Sequence, residues 1–232
     1  MNKLNKMICA AWTLVMVSTG TVLMADSSNF AGPYFGLSGF SAGMEAKGES
    51  MTNIINEGDT DGIPLGKVTF ATGLEAGYAL PIGSMFLLDV GASYLHGEAK
   101  LAHRNDSNHV AGDETNVTFS ADKFVTYYIA PTIALSETSS LYVKWGMSEA
   151  DVEVSGDVTT PANLSGETMA IGMRTVLDSG IFIRTEAGYT EYNGISAHGK
   201  GNSVSPHGSS SNNSYSAEPA IAYGSVSLGI RF

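Results

Sequence analysis

Pro219-Ala220-Ile221-Ala222-Tyr223-Gly224-Ser225-Val226-Ser227-Leu228-Gly229-Ile230-Arg231-Phe232 is the stretch on which the fold turns. From Val226 it alternates strictly. Val226, Leu228, Ile230 and Phe232 share one parity; Ser225, Ser227, Gly229 and Arg231 share the other. A period of two specifies a strand with one apolar and one polar face. The stretch closes on an aromatic residue. An edge strand of a soluble sandwich and a stave lying in lipid both fit this pattern, but aromatics suit the membrane–water boundary. The rest of the chain decides between the two.

Working outward, seven more stretches show strand character. The first opens at Asn29-Phe30-Ala31-Gly32-Pro33-Tyr34 and runs to about Lys47, with glycines in both parities, so its faces stay unassigned. The second, Lys67 to Leu80, sets Phe70, Leu74, Tyr78 and Leu80 against Gly73, Glu75 and Gly77. The third sets Phe86, Leu88, Val90 and Tyr94 against Leu87, Asp89, Gly91 and Ser93. The fourth, Val117 to Leu135, puts Phe119, Ala121, Val125, Tyr127, Ile129, Ile133 and Leu135 on one face, with Lys123 and Pro131 as misfits. Proline cannot donate to a ladder, so Pro131 predicts a bulge near the strand end. The fifth starts at Leu141 and loses its pattern after Met147 in an acidic stretch. The sixth sets Met169, Ile171 and Met173 against Gly172 and Arg174; the seventh sets Ile181, Ile183 and Tyr189 against Arg184, Glu186 and Gly188.

The connections alternate in length. Residues 81–84, 136–140 and 178–180 are short; 48–66, 97–116, 157–167 and 196–217 are long and polar, the last rich in Ser, Asn and Gly. In an up-and-down meander every second connection lies at the same end. The short turns therefore gather at one end and the long loops at the other, as in outer-membrane barrels. A closed barrel also satisfies every backbone group within lipid and leaves no edges. The predicted fold is all-β: an eight-stranded antiparallel up-and-down transmembrane β-barrel.

The N-terminus agrees. Lys3 and Lys6 precede an apolar run from Met7 to Val17, followed by the small residues Ser18, Thr19 and Gly20 and, further on, Met24-Ala25. That layout predicts a signal peptide over residues 1–25 and a barrel domain over 26–232. The sole cysteine, Cys9, falls in the leader, which excludes disulfide and thiol chemistry from the mature chain. Ten basic residues then face 23 acidic ones, a net charge of −13. Such a chain has no electrostatic footprint for nucleic acid.

With the apolar parity facing lipid, Gly73, Gly77, Gly91, Gly146, Gly172, Gly188 and Gly229 point inward. So do Glu75, Asp89, Lys144, Arg174, Arg184, Glu186 and Arg231. An arginine at mid-bilayer on the lipid side costs about 2–4 kcal/mol. Inside, it pairs with a carboxylate. An eight-stranded barrel is just wide enough for side chains to fill. The expectation is a packed ionic network; an ion pathway or gate is the functional alternative.

With a leader, eight amphipathic strands and a terminal phenylalanine, the chain resembles the small OmpA/OmpX-like and opacity-type outer-membrane β-barrel family. The resemblance covers nearly all of residues 30–232. It implies a non-enzymatic protein of the bacterial outer membrane. It also implies contact with membrane lipid and lipopolysaccharide, an extracellular partner met through long acidic loops, and a C-terminal signal for the barrel-assembly machinery, here Tyr223 and Phe232. A small passive diffusion channel is the alternative, and a lipid A-modifying enzyme a further one. His207-Gly208-Ser209 has the His-x-Ser spacing of the deacylase group, but it lies in a Ser-rich loop without a held base and orienting acid. His103-Arg104-Asn105-Asp106 reads as a solvated loop. Glu57, Asp59 and Asp61 alternate as in some calcium loops, without the glycine and terminal glutamate such loops need. No catalytic residue, metal site or cofactor is expected.

Overall fold

A computed structural model describes residues 25–52, 68–104, 117–155, 159, 162–177, 180–198 and 214–232. A short 3₁₀ turn, Ser27–Phe30, leads into ten strands. They are β1 (Gly32–Thr52), β2 (Val68–Pro81), β3 (Phe86–His96), β4 (Ala99–Arg104), β5 (Val117–Ala134), β6 (Ser139–Ser155), β7 (Leu164–Val176), β8 (Ile181–Tyr192), β9 (Ile195–His198) and β10 (Ser214–Arg231). β4 continues β3 along β5, and β9 continues β8 along β10, so the ten strands make eight staves. Every pairing is antiparallel. β1 pairs with β10 from Tyr34 opposite Arg231 to Thr52 opposite Ser214, which closes the barrel.

The parity of the sequence sets the two surfaces. Phe35, Leu37, Leu74, Tyr78, Val90, Tyr127, Trp145, Ile171, Met173, Ile183, Val226, Leu228 and Ile230 stand exposed on the outer wall. The polar parity is buried inside. In water this wall would be a large apolar patch; against acyl chains it is the matching solvent.

One end of the barrel is laced shut. The three short turns lie there, with the 3₁₀ turn and Phe232. The backbone N–H of Ala134 donates to Met85 O, that of Val176 to Thr138 O, that of Arg231 to Gly180 O, and that of Phe232 to Pro33 O. Gly180 and Gly32 have positive φ. At Gly32 a Cβ would also meet Phe232 O at 2.5 Å, so glycine is required twice over. Phe30, Tyr34, Ala79, Leu87, Ala134, Val176 and Phe182 pack into an apolar floor at this end.

The structure corrects several sequence expectations. Strands run beyond the apolar pattern: β1 reaches Thr52, β6 reaches Ser155, β7 begins at Leu164 and β10 at Ser214. β4 lies within the expected loop 97–116, and β9 overlaps the start of the expected loop 196–217. Backbone pairing needs no apolar face once a strand has left the lipid band, so periodicity underestimates its length. Along β6, Ala150 and Val152 stay buried while Glu149 and Glu153 take the outward positions. Pro131 makes no bulge. The register of β5 on β6 is unchanged from Ile129 opposite Trp145 to Thr132 opposite Tyr142. The slip lies between Asp122 and Val125, where Lys123 has φ 51°. That bulge reverses the parity and turns Ala121 inward. β1 also acquires faces: Tyr34, Gly36 and Ser38 point in, while Phe35, Leu37 and Gly39 point out.

Candidate functional site: the ionic layer inside the barrel

Above the apolar floor every stave contributes a polar side chain to one layer. Tyr34 comes from β1, Glu75 from β2, Asp89 from β3, Tyr128 from β5, Tyr142 and Lys144 from β6, Arg174 from β7, Arg184 and Glu186 from β8, and Tyr223 from β10. Alternation aims each of them inward, and opposed residues on neighbouring staves bring them level.

Two charge clusters result. In the first, Asp89 Oδ2 accepts from Arg174 Nη2 and, at 3.1 Å, from Arg184 Nη2. Arg184 Nη1 also donates to Glu75 Oε2 at 2.9 Å and to Tyr128 OH at 3.3 Å. Tyr128 OH meets Tyr34 OH at 2.9 Å. The guanidinium of Arg184 lies 5.0 Å from the Tyr34 ring and 4.9 Å from the Tyr142 ring; that of Arg174 lies 4.7 Å from the Tyr34 ring. In the second cluster, Glu186 accepts from Lys144 Nζ at 2.6 and 2.7 Å, and from the hydroxyls of Tyr142 and Tyr223, each at 2.8 Å. Lys144 sits 4.4 Å over the Tyr128 ring, which links the clusters. Three acids balance three bases. Further up, the hydroxyls of Thr126, Ser148, Thr168 and Thr190 form a chain from β5 to β8 with spacings of 2.6, 2.6 and 2.7 Å.

Glycines make the room. Five aromatic residues stand directly opposite an inward glycine: Tyr34 by Gly77, Tyr128 by Gly91, Tyr142 by Gly172, Tyr223 by Gly188 and Phe182 by Gly229. At each glycine an added Cβ would collide with the ring it faces. The rings lie flat along the wall and hand the lumen to the arginines.

Six of the seven inward charges named from the sequence therefore meet in one layer. Arg231 does not. It lies at the floor, where Nη1 donates to the backbone oxygens of Ser28 at 3.2 Å and Ala31 at 3.4 Å. Parity gave its direction and not its height, and the 3₁₀ turn beneath it has no periodic signal. Tyr223, paired with Phe232 in the sequence reading, faces inward on Glu186, whereas Phe232 is 76% exposed on the wall. The tyrosines were missed as members of the layer. Parity marks only Tyr142, which shares it with Gly146; β5 has no glycine to mark Tyr128, and β1 and β10 carry glycines in both parities. Residues 53–67, 105–116 and 199–213, with Glu57, Asp59, Asp61 and His207-Gly208-Ser209, lie outside the described residues. Among the described residues no group of three or more His, Cys, Asp or Glu could hold a metal ion.

A closed eight-stave barrel with this wall, lining and end asymmetry has the fold of the small bacterial outer-membrane β-barrels. No protein-family model matches the chain, and no curated protein matches it. Among solved structures it is similar to the outer membrane protein OprG from Pseudomonas aeruginosa, with 10% identity, 87% of this chain and 97% of that one covered, and a TM-score of 0.51. It is also similar to Ail, the attachment invasion locus protein of Yersinia pestis, solved with the heparin analogue sucrose octasulfate: 12% identity, 84% and 99% covered, TM-score 0.40. Neisserial surface protein A gives 11% identity, 87% and 98% covered, and a TM-score of 0.37. At these identities the likeness is one of fold, and OprG carries it.

Proposed function

We propose that this chain is a non-enzymatic outer-membrane β-barrel whose extracellular face meets a partner or the surrounding lipopolysaccharide. The observation that carries this reading is the division of labour between its two ends. The lipid-facing band and the lumen are committed to stability: one is continuously apolar, the other is filled by a neutral ionic layer. What remains for recognition is the opposite end, where β1, β5, β6 and β10 extend past the lipid band. There Glu149, Glu153, Glu167, Glu191 and Glu218 are exposed. A leader over residues 1–25 would deliver the chain to the periplasm, and Phe232, at the mouth of the closing strand, would be read by the assembly machinery.

The first test is fractionation followed by gel migration with and without boiling. Recovery in the outer membrane with a heat-dependent shift supports the reading; recovery in the soluble fraction overturns it. Planar-bilayer recording separates the diffusion-channel alternative, because a lumen crossed by Arg184 and Glu75 predicts no steady conductance. Unchanged lipid A masses on expression would retire the enzyme alternative.

A further inference from the structure

The segment before β1 does more than lead into the barrel. The Asp26 side chain caps the 3₁₀ turn by accepting from the Ser28 N–H at 2.9 Å. Ser27 is 3% exposed. Its N–H donates to Ser84 O at 2.8 Å and its hydroxyl to Gly83 O at 2.6 Å, both in the β2–β3 turn. Phe30 is fully buried in the apolar floor, in one cluster with Tyr34, Leu87, Val176 and Phe182. From β10, the neighbour of β1 where Arg231 stands opposite Tyr34, the Arg231 guanidinium donates to the carbonyls of Ser28 and Ala31. The segment thus touches groups from opposite ends of the sequence and lies directly beneath the ionic layer.

We infer that residues 26–30 are a plug that shuts the short-turn mouth of the barrel, and that Arg231 is its latch. Three consequences follow from the geometry. The plug closes the lumen below the ionic layer, so the layer has apolar residues under it rather than water. Its latch lies on the last strand, so the plug seats only after β10 has docked on β1. It is held by one aromatic side chain and a few hydrogen bonds, so it opens without unfolding the staves, as weakly tied terminal segments do.

The test is thiol accessibility in the folded full chain, in a Cys9→Ala background that removes the only native cysteine. Ser27→Cys reports the plug and Ser28→Cys, at an exposed position, is the control. In the parent barrel a membrane-impermeant maleimide should label position 28 readily and position 27 slowly. Phe30→Ala should speed labelling at position 27 by roughly a hundredfold, and Arg231→Ala by roughly tenfold, with the heat-dependent gel shift retained. Equal labelling of positions 27 and 28 in the parent would overturn the plug. Unchanged protection at position 27 in Arg231→Ala would overturn the latch. The comparison of the two positions in the parent needs no destabilising variant, so it decides even where Phe30→Ala does not fold. A failure here leaves the reading of the barrel itself standing, since the gel shift is scored separately.

Discussion

The barrel contains a lysine–carboxylate pair twice, in opposite settings. Inside, Lys144 and Glu186 meet at 2.6 Å with side chains 6% and 3% exposed. At the outer rim, Lys123 and Asp151 meet at 3.0 Å with side chains 56% and 46% exposed. Distance scarcely separates them; surroundings do. The outer pair keeps its water, and solvent screens it. The inner pair has exchanged water for two tyrosine hydroxyls and an aromatic face. Losing one partner inside therefore strands a buried charge, whereas losing one outside returns a charge to solvent. A contact distance alone says little about what a salt bridge contributes.

The largest effect that could break this comparison is at Arg184, which serves both Glu75 and Asp89. Arg184→Ala should destabilise the folded barrel by about 3–5 kcal/mol in reversible denaturant unfolding from lipid vesicles. A loss as small as that of a rim variant would put the inner layer on the same footing as the outer pair. Lys144→Met alone should be similarly costly, but Lys144→Met with Glu186→Leu should recover much of the loss, since the pair is then removed whole. A double variant as unstable as the two losses added together would refute that coupling.

Next come the glycines, which carry the inside–outside contrast without any charge. At Gly172 an added methyl group meets the Tyr142 ring and Thr185 O; at Gly39 it meets nothing within 4 Å. Gly172→Ala should cost about 1–3 kcal/mol, and Gly39→Ala should be silent in the same titration. At the rim, Lys123→Ala should fall within experimental error. The hydrogen bond that Lys123 donates to Asp151, helped by the charge of Asp122, raises the pKa of the Lys123 ammonium above its ordinary value. On the lysine side, a raised value means the contribution is full below pH 10.5 and is lost as pH climbs through the raised value.

The smallest effect is at Asp26. The Ser28 N–H holds its carboxyl below the usual 3.8. Its contribution is therefore complete above that value and disappears as pH falls through the lowered one. The melting-temperature difference between the parent and Asp26→Ala should be flat between about pH 5 and 8 and vanish only in strong acid. A change already near neutrality would assign control to another group.

Most of this is legible in the sequence. Strict alternation in β2, β3, β7, β8 and β10 gave the faces, and the alternation of short and long connections gave the meander. Legibility ended where the physics of the pattern ends. β1 has glycine in both parities and so carries no face signal. β6 above Met147 replaces apolar residues with carboxylates on its outer face while Ala150 and Val152 continue inward, so half of its signal persists unread. The bulge at Lys123 was misplaced to Pro131 because proline advertises a missing donor, whereas a lysine at φ 51° advertises nothing. In the layer, parity gave the six charges and their direction. It could not give their tyrosine partners, because an aromatic residue suits a lipid wall as well as a lumen.

The ring-and-glycine pairs have one more consequence. Sliding any of these hairpins by two residues preserves inside and outside, so hydrophobicity alone tolerates the error. It would, however, carry Tyr34 from Gly77 to Glu75 or Ala79, and Tyr142 from Gly172 to Ala170 or Arg174. Each aromatic is a key cut for one lock, and the five locks are distributed around the wall. Only one alignment of the whole meander turns them all, so the lining proofreads the stagger of the barrel as it closes.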